Sequence, residues 1–444
     1  MSRDPIDALA EHVTQHPQVM DYCVAFSGGM DSHVLLHAAA ELLGGLDDVS
    51  LRAVHINHGL HPDSARWAAH AAMVCDTLDV PLVIRNVSVP DDSGDGPEAA
   101  ARMARYEAFA ELLSPGEHLL VAQHAEDQAE TFLLQALRGS GPDGLASIPR
   151  KRVFADGYMV RPLLTCKRSD LRRYAKRETL EWIDDPSNEE TQFDRNFLRH
   201  EVFPLLASRW PSFVDTLSRS AARSSAASQT LLGLAQEDLE RVRVRGASEL
   251  SVSELKTLPR ERAYNVLRLW VRQRRLRMPR LQDLAEVICS LVRAREDSAG
   301  LVNVRDYEFR RYRDRLYLLT EMKQATPFNY EWPAPFDDLE IAELDLVLTR
   351  ATCVEQGIRL PEQGVMTVKT RSGGELIKLG EPAFHKAVKK LLQESAVPPW
   401  QRDRIPLLYV DGRLAAVWNI AVAVDFRDGA VRHNAEIAID AQLA

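Results

Sequence analysis

Between Phe26 and His33 the chain reads Ser27-Gly28-Gly29-Met30-Asp31-Ser32. Glycines let a backbone turn tightly and approach a polyanion, and free N–H groups at a helix start favour phosphate. Ser27 and Ser32 add hydroxyl donors. Asp31 would repel bare phosphate, so a bridging metal ion is expected at it. The GxxxxGK(S/T) loop of kinase-like NTPases is absent. A plain strand-to-helix turn would account for Ser-Gly-Gly alone, and fits less well the whole hexapeptide Ser-Gly-Gly-Met-Asp-Ser between a strand and a helix. Further along, Asp127 and Glu130 stand at i and i+3 of a helix start, on one face. Acids in a first helical turn also simply favour the helix dipole. Arg105, by position alone, is a surface helix charge. His55, His58 and His124 lack the Cys or carboxylate spacing of a tetrahedral zinc site, and ordinary hydrogen bonding is expected of them. Residues 139–144 match GxGxxG but follow a helix rather than a strand, so they are not a dinucleotide fingerprint.

Separate segments must be brought together for these residues to act, and the hydropathy pattern supplies the scaffold. Residues 22–26 are a short apolar run that stops at the serine–glycine loop, and 32–43 turn helical. Residues 51–56 form a second run ending at Asn57-His58-Gly59, followed by a helical stretch through Leu78. Residues 81–89 and 118–122 read as strands, 98–113 and 126–138 as helices. Strands alternating with helices predict βαβ units and a parallel sheet. Ligands of such sheets sit at the carboxyl ends of the strands, where each of these clusters falls. Residues 213–291 are rich in Ala, Leu, Arg and Glu and read as mostly helical. A Pro-rich acidic linker, 325–338, leads to short β-like runs (365–370, 406–410, 414–424) around one helix, 383–394. The expected architecture is an α/β parallel-sheet catalytic domain over 1–212, a helical substrate-binding domain over 213–322, and a linker with a small α+β domain over 323–444.

Composition bounds the function. The 444 residues suit two or three domains at about 150 residues each. With 45 % apolar and 27 % charged residues the balance is that of a soluble globular protein. No run reaches the roughly 18 apolar residues of a membrane helix, and the first 13 residues lack a signal-peptide pattern. Five dispersed cysteines form neither a disulfide framework nor a CxxC pair. A cytoplasmic location is expected, with no membrane partner. The net charge of −9 argues against a nucleic-acid binder, yet charge is uneven. Residues 260–280 hold eight arginines and one acid, Glu261. Such a stripe is either a solvated helix face or a seat for a phosphate backbone.

The hexapeptide at 27–32 is the signature of the PP-loop ATP pyrophosphatases, which the chain resembles well beyond it. His55-Ile56-Asn57-His58-Gly59-Leu60 is similar to that family's HVNHGL strand end, Ala101 to Tyr106 to its ARxxRY helix, and Gln123 to Thr131 to HHxDDQAET. Leu137-Arg138-Gly139-Ser140-Gly141, Arg161-Pro162-Leu163-Leu164, Asp185-Pro186-Ser187-Asn188 and Arg195-Asn196-Phe197-Leu198-Arg199-His200 follow. In that combination and order the motifs resemble the tRNA(Ile)-lysidine synthetase family. Residues 260–279 and 389–408 are similar to its middle and C-terminal domains. Three positions depart: Gln123 for the first His of HHxDD, Glu126 for its first Asp, and Leu376 where GGER has arginine.

The resemblance implies ATP-dependent joining of L-lysine to the wobble cytidine of tRNA(Ile) bearing a CAU anticodon, through an adenylated cytidine, with ATP and Mg²⁺ required. It implies ATP binding by Ser27, Gly28, Gly29, Met30, Asp31, Ser32, His55, Asn57 and Gly139, with Asp31 as the Mg²⁺ contact and Arg105 as a transition-state cation. Asp127 and Glu130 would bind the lysine ε-amine, whose reference pKa near 10.4 requires a site that removes a proton. Arg195, Arg199, Arg268, Arg272, Arg275, Lys389, Lys390, Trp400 and Arg402 would meet RNA. A homodimer is compatible with all of this. The rival readings are a PP-loop tRNA thiolase, which would need reactive or cluster-binding cysteines, an amidotransferase with an amino-terminal nucleophilic Cys, and a tRNA-binding protein with a dead loop, in which Ser27, Asp31 or Glu130 would be eroded.

Overall fold

The computed structural model describes residues 3–59, 62–88, 97–184, 194–295, 300–320, 326–363, 365–380 and 384–428. The motif at 185–188 lies outside them. The chain forms two compact units, Met1–Thr230 and Leu231–Ala444.

The first unit is built in order from α1 (Pro5–Gln15), β1 (Asp21–Ala25), α2 (Met30–Leu43), β2 (Ser50–Asn57), α3 (Ser64–Thr77), β3 (Leu82–Asn86), α4 (Pro97–Leu112), β4 (His118–Leu120), α5 (Ala125–Leu137), α6 (Pro142–Leu145), β5 (Lys151–Phe154), β6 (Gly157–Val160), α7 (Arg168–Arg177), α8 (Asp194–Phe197), α9 (Phe203–Arg209) and α10 (Phe213–Val242), the last running on into the second unit. The six strands lie in the order β3-β2-β1-β4-β6-β5, all parallel except the edge strand β5. Tyr22, Cys23 and Val24 of β1 are all buried, as are the three residues of β4. Side chains on both faces of these strands are covered, which is why they read as continuous apolar runs rather than alternating ones. Val34, Leu35, Leu36, Ala38, Ala39 and Leu43 of α2 join β1 in the core. The chain leaves β1 toward β2 on one side, whereas β4 pairs on the other. The carboxyl ends of β1 and β4 therefore flank a switch point, the position at which such sheets bind ligands.

The second unit holds β7 (Leu250–Ser251), α11 (Val252–Thr257), α12 (Arg260–Gln273), α13 (Leu281–Glu286), β8 (Leu301–Val304), β9 (Tyr307–Tyr312) and β10 (Arg315–Thr320). It continues with β11 (Asn329–Pro333), β12 (Leu339–Ile341), β13 (Leu346–Leu348), α14 (Arg350–Glu355), β14 (Val365–Lys369), β15 (Leu376–Gly380), β16 (Phe384–Ala387), α15 (Val388–Glu394), α16 (Pro399–Arg402), β17 (Leu407–Val410), β18 (Arg413–Val417) and β19 (Ala421–Val422). The helices predicted over 213–291 are present, and a four-stranded sheet, β7-β10-β9-β8, accompanies them. Tyr307, Phe309, Leu316 and Leu318 of that sheet share a core with Val266, Leu267 and Trp270 of α12.

Two boundaries differ from the sequence expectation. The supposed linker contains β11, which pairs antiparallel with β14 in the five-stranded sheet β11-β14-β17-β18-β19. Its prolines suggested a connector, but Phe328, Trp332 and Phe336 are buried in the C-terminal core. The helix expected from 383 begins at Val388. The preceding Phe384–Ala387 pairs with β15 instead.

Candidate active site

The loop after β1 turns at Gly28, whose φ of +88° is a left-handed conformation that favours glycine. The Gly28 carbonyl accepts a hydrogen bond from the Ile183 N–H at 3.0 Å. Ser32 Oγ donates to the Gly29 carbonyl at 2.9 Å and lies 3.0 Å from Ser27 Oγ. These bonds hold the hydroxyls together at the start of α2, where the orphan N–H groups form an anion seat. The adjacent strand β2 ends beside it. The buried His55 donates from Nδ1 to the Phe26 carbonyl at 2.9 Å, and burial keeps its pKa below 6.5. Asn57 Oδ1 accepts from the Gly59 N–H at 3.0 Å. His58 is pushed down to about 4 by burial and by the Arg105 charge, which places the Arg105 guanidinium close to the end of β2.

β4 leads into the second half of the site. His124, 2 % exposed, precedes α5, and its backbone N–H donates to Asp127 Oδ2 at 2.9 Å. Its ring is enclosed by carboxylates: Nδ1 is 3.1 Å from Glu126 Oε2, and Nε2 is 3.5 Å from Asp31 Oδ2 and 3.6 Å from Asp127 Oδ2. Carboxylates on both sides of the ring favour its doubly protonated, cationic form. Burial opposes that charge, but Asp127, Asp31 and Glu126 outweigh it and raise the His124 pKa well above 6.5. Burial likewise works against ionising Asp31 and Glu126, and His124 nevertheless holds both below their ordinary values.

Glu130, one helical turn after Asp127, has no solvent exposure. Its Oε1 accepts from Arg199 Nε at 2.9 Å, while Arg199 Nη2 lies 3.3 Å from Asp127 Oδ1. Burial raises the Glu130 pKa, Arg199 opposes the rise, and Asp127 adds to it. Arg199 stands in a π-helical turn, Leu198–Val202, between α8 and α9. Such widened turns occur often at functional sites. Two carboxylate oxygens of the cluster, Asp31 Oδ1 and Glu130 Oε2, are buried without a hydrogen-bond partner among the described residues. A buried acceptor left unpaired costs about 1–3 kcal/mol, more for a charged one, and each would accept a cation or an N–H donor.

The departures at 123 and 126 have local explanations. Gln123 Oε1 accepts from Nε of Arg161, whose buried guanidinium also donates to the Pro149 carbonyl at 2.9 Å. Burial depresses the Arg161 pKa to about 10, and the neutral amide serves that cation without titrating. The longer Glu126 reaches both His124 and the Arg168 N–H at the start of α7, 2.9 Å away.

The structure thus gathers Asp31, Asp127 and Glu130 and sets Ser27, Ser32, His55 and Asn57 on the neighbouring strand ends. Gly139 follows α5 with φ of +69°, a left-handed conformation just past the helix end. Arg199, expected at RNA phosphate, is held by carboxylates instead. Arg195 lies alongside, its Nη2 3.4 Å from Thr131 Oγ1. The sequence placed His124 in the HHxDDQAET-like motif and expected ordinary hydrogen bonding of it, but not its central position among three carboxylates. Its signal was the acids at i+2 and i+3. Among the described residues no group of three or more His, Cys, Asp or Glu side chains is arranged to hold a metal ion.

In the second unit, Arg272, Arg275, Lys389 and Lys390 are exposed and Arg268 is half-buried. Trp400 and Arg402 are not presented to solvent in that way: the indole packs on Tyr317 and Tyr312, and Arg402 donates to the Val397 carbonyl and the Tyr312 hydroxyl. No helix among the described residues is long and apolar enough to cross a membrane.

The chain is similar to known proteins along most of its length. The family model described as a PP-loop domain matches residues 5–206, that of a TilS substrate binding domain residues 250–317, and that of a TilS substrate C-terminal domain residues 366–439. A tRNA(Ile)-lysidine synthase from Coxiella burnetii is 38 % identical over 431 residues, 95 % of this chain and 93 % of that protein. One from Serratia proteamaculans is 38 % identical over 424 residues, 94 % of each chain. One from Xanthomonas campestris pv. campestris is 41 % identical over 397 residues, 88 % of this chain and 89 % of that one. Among solved structures, the U34-tRNA thiolase NcsA from Methanococcus maripaludis with its 4Fe-4S cluster aligns with a TM-score of 0.40 at 15 % identity, covering 49 % of this chain and 78 % of that one.

Proposed function

The chain belongs to the tRNA(Ile)-lysidine synthase family, and on that premise we propose how its catalytic unit divides the reaction between two carboxylate sites joined by one imidazolium. The enzyme ligates lysine to the wobble cytidine of a CAU-anticodon tRNA(Ile), converting ATP to AMP and pyrophosphate. The observation that carries the proposal is that His124 holds Asp31 of the phosphate loop and Asp127 of α5 within 3.6 Å of one ring nitrogen.

In the first step the cytidine carbonyl oxygen attacks the α-phosphorus of ATP. The catalytic need is a fixed triphosphate and positive charge against the transition state. Ser27, Gly28, Gly29, Met30 and Ser32 cradle the phosphates, and His55 and Asn57 flank the nucleotide. The unpartnered Asp31 Oδ1 suits Mg²⁺, which takes one or two carboxylates and completes its shell with phosphate oxygens and water. Mg²⁺ would supply charge neutralisation on the phosphates. Arg105, near the end of β2, adds a cation.

In the second step the lysine ε-amine displaces AMP from the activated ring. The ammonium is received by Asp127 and Glu130. Arg199 engages one Glu130 oxygen and leaves Oε2 as the acceptor. The burial that raises the Glu130 pKa suits it to accept a proton from the ammonium. Arg199 is a positioning residue that keeps both acids on one side. Arg195, Arg268, Arg272, Arg275, Lys389 and Lys390 meet the RNA backbone, an electrostatic role that weakens with salt.

The test is transfer of labelled lysine to transcripts of tRNA(Ile) with a CAU anticodon and of tRNA(Met), with ATP and Mg²⁺, by the native chain and Asp127→Ala. Incorporation into the isoleucine tRNA alone, abolished in the variant, is expected. Full activity of Asp127→Ala, or labelling of both tRNAs, would overturn the assignment.

A further inference from the structure

The second unit has two separate cores, one from buried residues between Ala235 and Leu318, the other from those between Phe328 and Phe426. The contact between them centres on the turn that joins β9 to β10. Arg313, in that two-residue turn, has a φ of +53°, a conformation suited to Gly, Asn or Asp. The site keeps an arginine there, and its Nη2 donates to the Gln393 carbonyl near the C-terminus of α15, where a cation is favoured. The next residue, Asp314, faces the other part: its oxygens accept from the Ser253 N–H at 2.7 Å and from the hydroxyls of Ser251 and Ser253 at 2.8 Å each, at the N-terminus of α11. Adjacent turn residues thus cap helices of opposite sign in the two parts.

An aromatic contact completes the joint. Tyr317 lies on the face of β10 opposite Leu316 and Leu318, outside the sheet's own core. Trp400 of α16 packs edge-on against Tyr317 at 5.2 Å between ring centroids, and the Arg310 guanidinium sits 5.1 Å from the indole centroid. Arg402 Nη2 donates to the Tyr312 hydroxyl at 3.1 Å. We infer that the turn at Arg313 and Asp314, with Trp400 and Arg402, is a joint that fixes the C-terminal part on the middle part so that their basic surfaces bind one RNA together. These are positioning residues, not RNA contacts. The inference rests on the reading that tRNA meets both parts. Two binding surfaces held in register act at high effective concentration, and loosening the link forfeits part of that gain without touching either surface.

The test uses the full chain with Arg313→Gly, which suits the backbone but deletes the guanidinium, and Trp400→Ala beside Trp400→Phe. The indole N–H is buried without a partner, so phenylalanine should preserve the joint. Solution scattering of the free protein reads the joint itself, and steady-state lysine transfer reads its consequence. Arg313→Gly and Trp400→Ala are expected to enlarge the radius of gyration and to raise KM for tRNA about tenfold. Their kcat and their KM for ATP and lysine should stay within about twofold, and Trp400→Phe should match the native chain. An enlarged particle with unchanged KM for tRNA would overturn the positioning role. Unchanged scattering would overturn the joint. A uniform fall in kcat with thermal stability would reduce these residues to ordinary packing. Absence of lysine transfer by the native chain would instead defeat the functional reading and leave the scattering result standing.

Discussion

Two histidines at opposite ends of β4 are buried almost equally, yet one is neutral and the other is held toward its cationic form. His118 begins the strand with no exposed surface, and His124 follows its end at 2 %. His118 Nδ1 pairs with His12 Nε2 at 3.0 Å. Burial, Lys151 and His16 push its pKa to about 4, and burial with the neighbouring His118, His16, Lys151 and Arg150 takes His12 to about 3. Both rings are neutral at physiological pH. His124 meets the same burial, but three carboxylates face it and reverse the outcome. Burial alone thus does not set the state of a histidine; the sign of its neighbours does. The amino end of the strand is a packed neutral pair, whereas the carboxyl end concentrates charge where a parallel sheet binds ligands.

The contrast predicts unequal mutational effects. His124→Ala would leave Asp31, Glu126 and Asp127 facing one another without their cation. Removing one partner of a buried ionic cluster costs about 3–5 kcal/mol, and lysine transfer should fall by roughly 10²–10³-fold with the preorganised charge lost. His118→Leu should leave transfer within a few-fold. Equal losses of activity in the two variants would erase the distinction.

Next in size is Arg199→Ala. It removes the cation that holds Glu130 down, so the Glu130 pKa rises further and the base form needs a higher pH. The acid limb of the transfer profile should move upward, with a loss of about 100-fold at neutral pH. A pH profile that does not move would separate Arg199 from Glu130.

Acid sensitivity sharpens the comparison by sign. His12 and His118 have folded pKa values below 6.5, so the unfolded chain binds more protons as pH falls through 6.5. The stability gained by keeping them neutral is present above pH 6.5 and lost toward pH 4. His124, raised, contributes fully below pH 6.5 and loses its contribution as pH rises through its folded value. Melting temperature should therefore drop from pH 7 to pH 5, and His118→Leu should flatten the drop. Because His33, His55 and His58 share the lowered sign, the flattening will be partial. A steeper drop in the variant would contradict the assignment. The smallest effect belongs to Gln123→His. A neutral imidazole can accept from Arg161 as the amide does, and activity should change by less than about threefold.

Much of the catalytic unit was legible because its signals are local. The run at 22–26, the serine–glycine loop and the acids at 127 and 130 each read correctly as strand, turn and helix start. What escaped was set by distant partners. Nothing near Arg199 announces that a π-helical turn delivers it to Glu130. The prolines around Trp332 hide a strand whose evidence is burial beside β14. Trp400 and Arg402 look like nucleic-acid contacts in isolation, and nothing in their neighbourhood of sequence announces their packing against Tyr312 and Tyr317.

The most direct test of the two-site account is to separate the half-reactions in Glu130→Gln. Formation of adenylated tRNA from ATP labelled at the α-phosphate reads the Asp31 side, and transfer of lysine to that tRNA reads the Glu130 side. The account predicts that the variant still forms the adenylated intermediate, and accumulates it, while lysine transfer falls by at least about 100-fold. Loss of both steps in equal measure, or transfer at the native rate, would contradict the division of labour between the two carboxylates.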